Sequence, residues 1–109
     1  MLHVNSSLPI DELGTYHVST LTIPEAREVL VTAESNGDVK CHIGFASTCD
    51  MIEAATGVYL VVPRKKANRL TILESGDRVL LVRPHRDVKI DANTLLQPEM
   101  FRWWLVEYE

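Results

Sequence analysis

The chain has 109 residues, 46% hydrophobic and 24% charged, with a net charge of −4 at pH 7. That balance fits one globular domain spanning 1–109, with a core small enough to gain from oligomerisation. The negative charge excludes indiscriminate binding of long nucleic acid, and no apolar run reaches the ~20 residues that a membrane span needs.

The first residues, Met-Leu-His-Val-Asn-Ser-Ser-Leu-Pro, have neither the basic start nor the apolar stretch of a signal peptide, so a cytoplasmic location is expected. Leu2 to Val4 reads as a short strand that runs into a polar loop at Asn5, Ser6 and Ser7. From Thr15 to Thr22, Tyr16, Val18, Thr20 and Thr22 alternate with His17, Ser19 and Leu21, a period of two that predicts a strand. Thr22-Ile23-Pro24-Glu25 is a helix start, with a capping hydroxyl, a proline in the first turn and an acid suited to the dipole. Ala26, Val29, Leu30 and Ala33 supply its buried stripe, and Asn36-Gly37-Asp38 ends it.

Val39–Ile43 predicts a short strand leading to a turn at Gly44. A second helix is expected to begin at Ser47 or Thr48, with Ser47 and Asp50 close to a capping box, and to stop at Gly57. Free amides at such a helix mouth, together with the macrodipole, favour an anion. Cys41 and Cys49 make neither a disulfide framework nor a zinc site; they read as structural thiols in a reducing compartment, and no metal or cofactor is expected. Val58–Val62 looks like a strand stopped by Pro63, and 64–69 is a basic loop. Leu70–Leu73 and Val79–Val82 predict a hairpin around Glu74-Ser75-Gly76-Asp77. Val88–Ile90 reads as a brief strand and Asp91–Leu96 as one helical turn. Phe101–Tyr108 reads as a final strand with Trp103 and Trp104 on opposite sides of the sheet. The whole predicts an α/β fold: a mixed sheet of about five to six strands with two to three flanking helices.

Charge is unevenly spread. Residues 64–89 hold eight of the eleven Lys and Arg against three acids, a local balance of +5, while the remainder carries −9. This suits a localised anion site, with a solvated basic face as the alternative.

An Asn-Ser-Ser loop, an Ile-Gly-x-x-Ser-Thr turn into a helix, Gly57 with an Arg soon after, a Gly-Asp hairpin, an Arg loop and a closing strand occur in that order. The set resembles the small viral ring-nuclease family, type III anti-CRISPR proteins first known from crenarchaeal viruses. The resemblance implies a homodimer that binds cyclic tetra-adenylate between its subunits and cuts it without metal, through attack by the ribose 2′-OH. It places Asn5, Ser6, Ser7, Gly44, Phe45, Ser47, Thr48, Arg86 and either Arg64 or Arg69 around the ligand. Three departures stand out. The family's general acid, a His, is here Phe45; the Glu expected three residues after Arg86 is Lys89; and the basic loop after Pro63 is longer. A general acid contributes about 10²–10⁴-fold, so its loss predicts retained binding and poor turnover. His42, three residues earlier on an extended segment, is expected to point away from the site. The leading expectation is therefore sequestration of a cyclic oligoadenylate with at most weak cleavage. The alternatives are an active metal-independent ring nuclease and a protein-binding adaptor that uses Trp103, Trp104 and an exposed edge strand.

Overall fold

The computed structural model describes residues 1–8, 14–63, 73–91 and 93–109. Its strands are β1 (Leu2–Asn5), β2 (Tyr16–Leu21), β3 (Val39–Cys41), β4 (Arg78–Pro84) and β5 (Phe101–Tyr108). Two helices, α1 (Ile23–Ser35) and α2 (Ala46–Thr56), complete the α/β architecture, with a 3₁₀ turn at Pro98–Met100. The strands form one mixed sheet in the order β2-β5-β4-β1-β3. β1 runs parallel to both β3 and β4, and β5 runs antiparallel to β4 and β2.

Helix α1 begins as its sequence predicts. The Thr22 hydroxyl accepts from the Glu25 amide at 3.2 Å while the Glu25 carboxylate accepts from the Thr22 amide at 2.9 Å, so two orphan donors are satisfied reciprocally. The Thr22 amide first, and then the Thr22 hydroxyl, hold the Glu25 carboxyl below its ordinary value. Ala26, Leu30 and Ala33 are buried, at the spacing that puts one helical face on the sheet. Helix α2 buries Cys49, Met51, Ile52 and Thr56, and the Thr56 hydroxyl donates to the Ile52 carbonyl at 2.7 Å. Gly57 caps it in the left-handed region, at φ 79°, which costs an L side chain energy that glycine avoids.

Both helices lie on one face of the sheet. There Leu2, Val4, Leu80, Val82, Phe101 and Trp103 pack with Leu30, Ile43 and Ile52 in one buried cluster. Full burial of each such side chain contributes about 1.5–3 kcal/mol. The opposite face carries a smaller cluster of Leu73, Val79, Leu81 and Val106, with Trp104, Tyr16 and Tyr108 packed against it. Consecutive residues alternate between the two, so Trp103 belongs to the helix-side core while Trp104 stands half-buried on the other face, as the pleat requires.

Several expectations are corrected. Helix α2 starts at Ala46, with Phe45 in the capping position, rather than at Ser47 or Thr48. The reason is that Phe45 is extended (φ −121°, ψ 125°) and its carbonyl already accepts from the Thr48 and Cys49 amides, both at 3.2 Å. Ser47 and Thr48 are thus inside the first turn and form no capping box. Residues Val58 and Leu60 are buried while Tyr59 and Val61 are exposed, but the segment joins no ladder among the described residues. Val88–Ile90 is likewise not a strand. The chain does turn at Asp91, where the Thr94 amide donates to the Asp91 carbonyl at 3.2 Å and the Asp91 carboxylate accepts from the Asn93 amide at 2.8 Å and the Thr94 hydroxyl at 3.0 Å; residue 92 lies outside the described residues. Those bonds hold the Asp91 carboxyl below its ordinary value, the Asn93 amide contributing most. Of the expected hairpin, only the Gly76 turn and β4 are described; 70–72 lie outside the described residues.

Candidate functional site

Because β1, β3 and β4 are parallel and adjacent, the segments leaving their carboxyl ends emerge at the same end of the sheet. In open α/β sheets this end is where ligands bind. Asn5, Ser6 and Ser7 follow β1; Gly44, Phe45, Ser47 and Thr48 follow β3; Arg86 follows β4. The topology therefore gathers eight of the ten expected ligand residues into three neighbouring segments. Arg64 and Arg69 lie outside the described residues.

Asn5 is buried and its side-chain carbonyl accepts from the Ser6 amide at 2.9 Å, which bends the chain and leaves Ser6 and Ser7 exposed. Across the strand pair, Gly44 is exposed and outside the left-handed region, and a Cβ there would meet no atom within 4 Å. Among the described residues, neither backbone conformation nor packing demands a glycine at this position. The amides of Ala46 and Ser47, at the start of α2, have no intrahelical acceptor, and Phe45 supplies no side-chain cap. Its ring is 74% exposed at the helix mouth, an apolar surface that packing within the chain does not use. Together these residues offer amide and hydroxyl donors beside an aromatic face, with Arg86 exposed beyond β4. That combination suits a phosphate ester attached to a flat heterocycle.

His42 sits at this end of β3 and is tied into the sheet. Its Nε2 lies 2.9 Å from Nδ1 of His3, one ring donating and the other accepting. Nε2 of His3 lies 3.3 Å from the Asp77 carboxylate, so a polar row crosses the helix-free face from β3 through β1 to the start of β4. Burial works to raise the Asp77 carboxyl, but the Glu74 amide, the His3 ring and the Met1 ammonium together hold it below its ordinary value. Sequence reasoning kept His42 apart from the expected acid position, yet missed its partners. The signal was partial: His3 and His42 each sit in a β-like segment, but only the β1–β3 register makes them neighbours.

A second group missed in the sequence is the cross-strand pair Arg83 and Arg102, directly opposite in the β4–β5 ladder on the helix-free face. Cys49 is buried, and that burial, reinforced by the neighbouring Cys41 thiol, pushes its thiol up to about 12. Among the described residues, no group of three or more His, Cys, Asp or Glu side chains is placed to hold a metal ion. Two surface depressions of about 340 and 440 Å³ lie elsewhere. One is beside α1 at Leu21, Glu28 and Arg78, the other around Gly76 and Tyr108, and neither is lined by a residue of these three segments.

No family model matches the sequence, and no curated protein matches it either. Among solved structures, the fold is similar to that of B116 of Sulfolobus turreted icosahedral virus, with a TM-score of 0.79 over 97% of each chain. The two share 14% sequence identity. The architecture is thus one found in a protein of a crenarchaeal virus. Among the described residues no helix is long and apolar enough to cross a membrane.

Proposed function

We propose that this chain is a dimeric cyclic-oligoadenylate-binding protein of the ring-nuclease kind, one that removes a defence signal by holding it. The observation that carries this reading is Gly44. Its glycine is unexplained by the fold, it lies beside an uncapped helix mouth, and it adjoins the Asn5–Ser7 loop at the carboxyl end of parallel strands. A phosphodiester brought against a bare backbone needs that missing Cβ. The structural likeness to a protein of a crenarchaeal virus agrees with the viral origin of the family that the sequence resembles.

The chemistry of cleavage asks for more than binding. The 2′-oxygen must be held in line with the scissile bond, and the leaving 5′-oxygen must receive a proton. Phe45 carries no proton to give, and its chain neighbours Gly44 and Ala46 carry none either. Binding with slow turnover follows. A C2 dimer would present each donor twice to a symmetric ring, which suits a cyclic ligand.

The test is calorimetry with cyclic tri-, tetra- and hexa-adenylate, followed by chromatography of the ligand after incubation. One ring bound per dimer and recovered largely intact is the expected result. Phe45→His should then raise cleavage by about 10²–10⁴-fold. Rapid cleavage by the native protein would favour the active-enzyme reading, and no heat with any ring would favour the protein-binding adaptor.

A further inference from the structure

The β4–β5 register sets Arg83 directly opposite Arg102. Residues 79 and 81 of β4 and 104 and 106 of β5 pack in the helix-free cluster, so by alternation both arginines stand on that same face. Both are exposed. Like charges directly opposite in an antiparallel pair oppose folding. The usual remedy is a carboxylate neighbour, and among the described residues neither arginine has one within ion-pair distance. Arg102 Nε donates to Nδ1 of His85 at 3.2 Å, which steadies the guanidinium through an uncharged acceptor and leaves the cation uncompensated.

The position of the pair is as telling as its charge. Asn5 of β1 is level with Leu81 of β4, so Arg83 stands two residues further toward the end of the sheet where Asn5, Ser6 and Ser7 emerge. Arg86 lies three residues beyond Arg83. Directly opposed Cβ atoms are about 5 Å apart, which lets two guanidinium forks close on a single tetrahedral oxyanion.

We propose that Arg83 and Arg102 form a phosphate-ester site on the helix-free face. The identification of the ester as part of a cyclic oligoadenylate rests on the function proposed above, whereas the existence of the anion site does not. The bound oxyanion supplies the charge compensation that the described residues do not, so the pair lowers the stability of the empty protein and raises that of the complex.

The experiment follows thermal unfolding and binding of the full chain with sodium phosphate, at ionic strength held constant with sodium chloride. Wild type is compared with Arg83→Gln, Arg102→Gln and the helix-surface control Arg27→Gln. Without phosphate, at low salt, each strand variant should melt about 1–5 °C above wild type as the repulsion is removed. Phosphate should raise the melting temperature of wild type and of Arg27→Gln but not of the strand variants, whose phosphate affinity should fall about tenfold or more. The proposal is overturned if wild type shows no rise specific to phosphate, or if Arg27→Gln loses as much as the strand variants do. In a second arm, cyclic tetra-adenylate should bind the strand variants about tenfold or more weakly than wild type. Equal affinity for all four proteins overturns the proposal. Phosphate dependence with no cyclic tetra-adenylate binding at all upholds the anion site and removes the proposed function.

Discussion

Replacing Asp77 tests the polar row that ties three strands together on the helix-free face. Its carboxylate accepts from the Glu74 amide at 2.9 Å and faces His3 Nε2 at 3.3 Å, with its side chain 14% exposed. A charge-assisted hydrogen bond contributes roughly 1.5–3 kcal/mol, and the longer contact and the solvent at this turn argue for the lower half of that range. The half-exposed Met1 ammonium at 3.7 Å adds little. Asp77→Ala should therefore destabilise by about 1.5–2.5 kcal/mol at pH 7, read as a lower urea midpoint at unchanged slope. The pH dependence gives an independent sign. The folded carboxyl titrates below its unfolded value, so its contribution is complete above about pH 4–5 and disappears as pH falls through the folded value. Asp77→Asn keeps an acceptor for the Glu74 amide but no charge, so its deficit should shrink as the pH falls through the folded value of the wild-type carboxyl. A deficit below about 0.5 kcal/mol for Asp77→Ala at pH 7, or one for Asp77→Asn that persists in acid, would refute the reasoning.

Gly44→Ala should leave the melting temperature unchanged, because its Cβ points into open space, while weakening cyclic tetra-adenylate binding about tenfold or more in calorimetry. Gly57→Ala should destabilise by about 1 kcal/mol in urea titration, since the capping residue of α2 must hold φ at 79°. Cys49 should resist a thiol-specific chromogenic reagent in the native protein at pH 8, reacting only at the rate of unfolding, because burial keeps its thiol protonated up to about 12.

Local chemistry was readable in the sequence where one segment carried its own signal. Thr22 to Glu25 announced both the start and the cap of α1, and the alternation of Tyr16, Val18 and Thr20 announced β2. The two adjacent tryptophans had to part, and they do. Signals that depend on pairing were not readable. Val58–Val62 has a strand's composition, but composition does not supply a ladder partner, and the segment instead lays Val58 and Leu60 into the helix-side core. Ser47 and Thr48 look like caps, yet the register of α2 is set by the burial of Cys49 and Ile52, which moves the cap back to Phe45. At the candidate site, the segments around Asn5 and Gly44 were found because each has a local turn signature. The His3–Asp77 contact and the Arg83–Arg102 pair were missed because they exist only through the register of β1, β4 and β5.

The placement of β5 has a consequence for how the protein is made. Among the described strands, β5 is the sole neighbour of β2, and it fills the slot between β2 and β4. Residues 16–21 are synthesised well before their partners at residues 103–108. Until residues 101–108 are made, β2 therefore has no partner among the described strands, and a nascent chain stalled short of residue 101 keeps unpaired β edges. Closure occurs when β5 slides into place between β2 and β4 and joins the two parts of the sheet. Completion of the sheet waits for residues 101–108, with a rate governed by that long-range pairing.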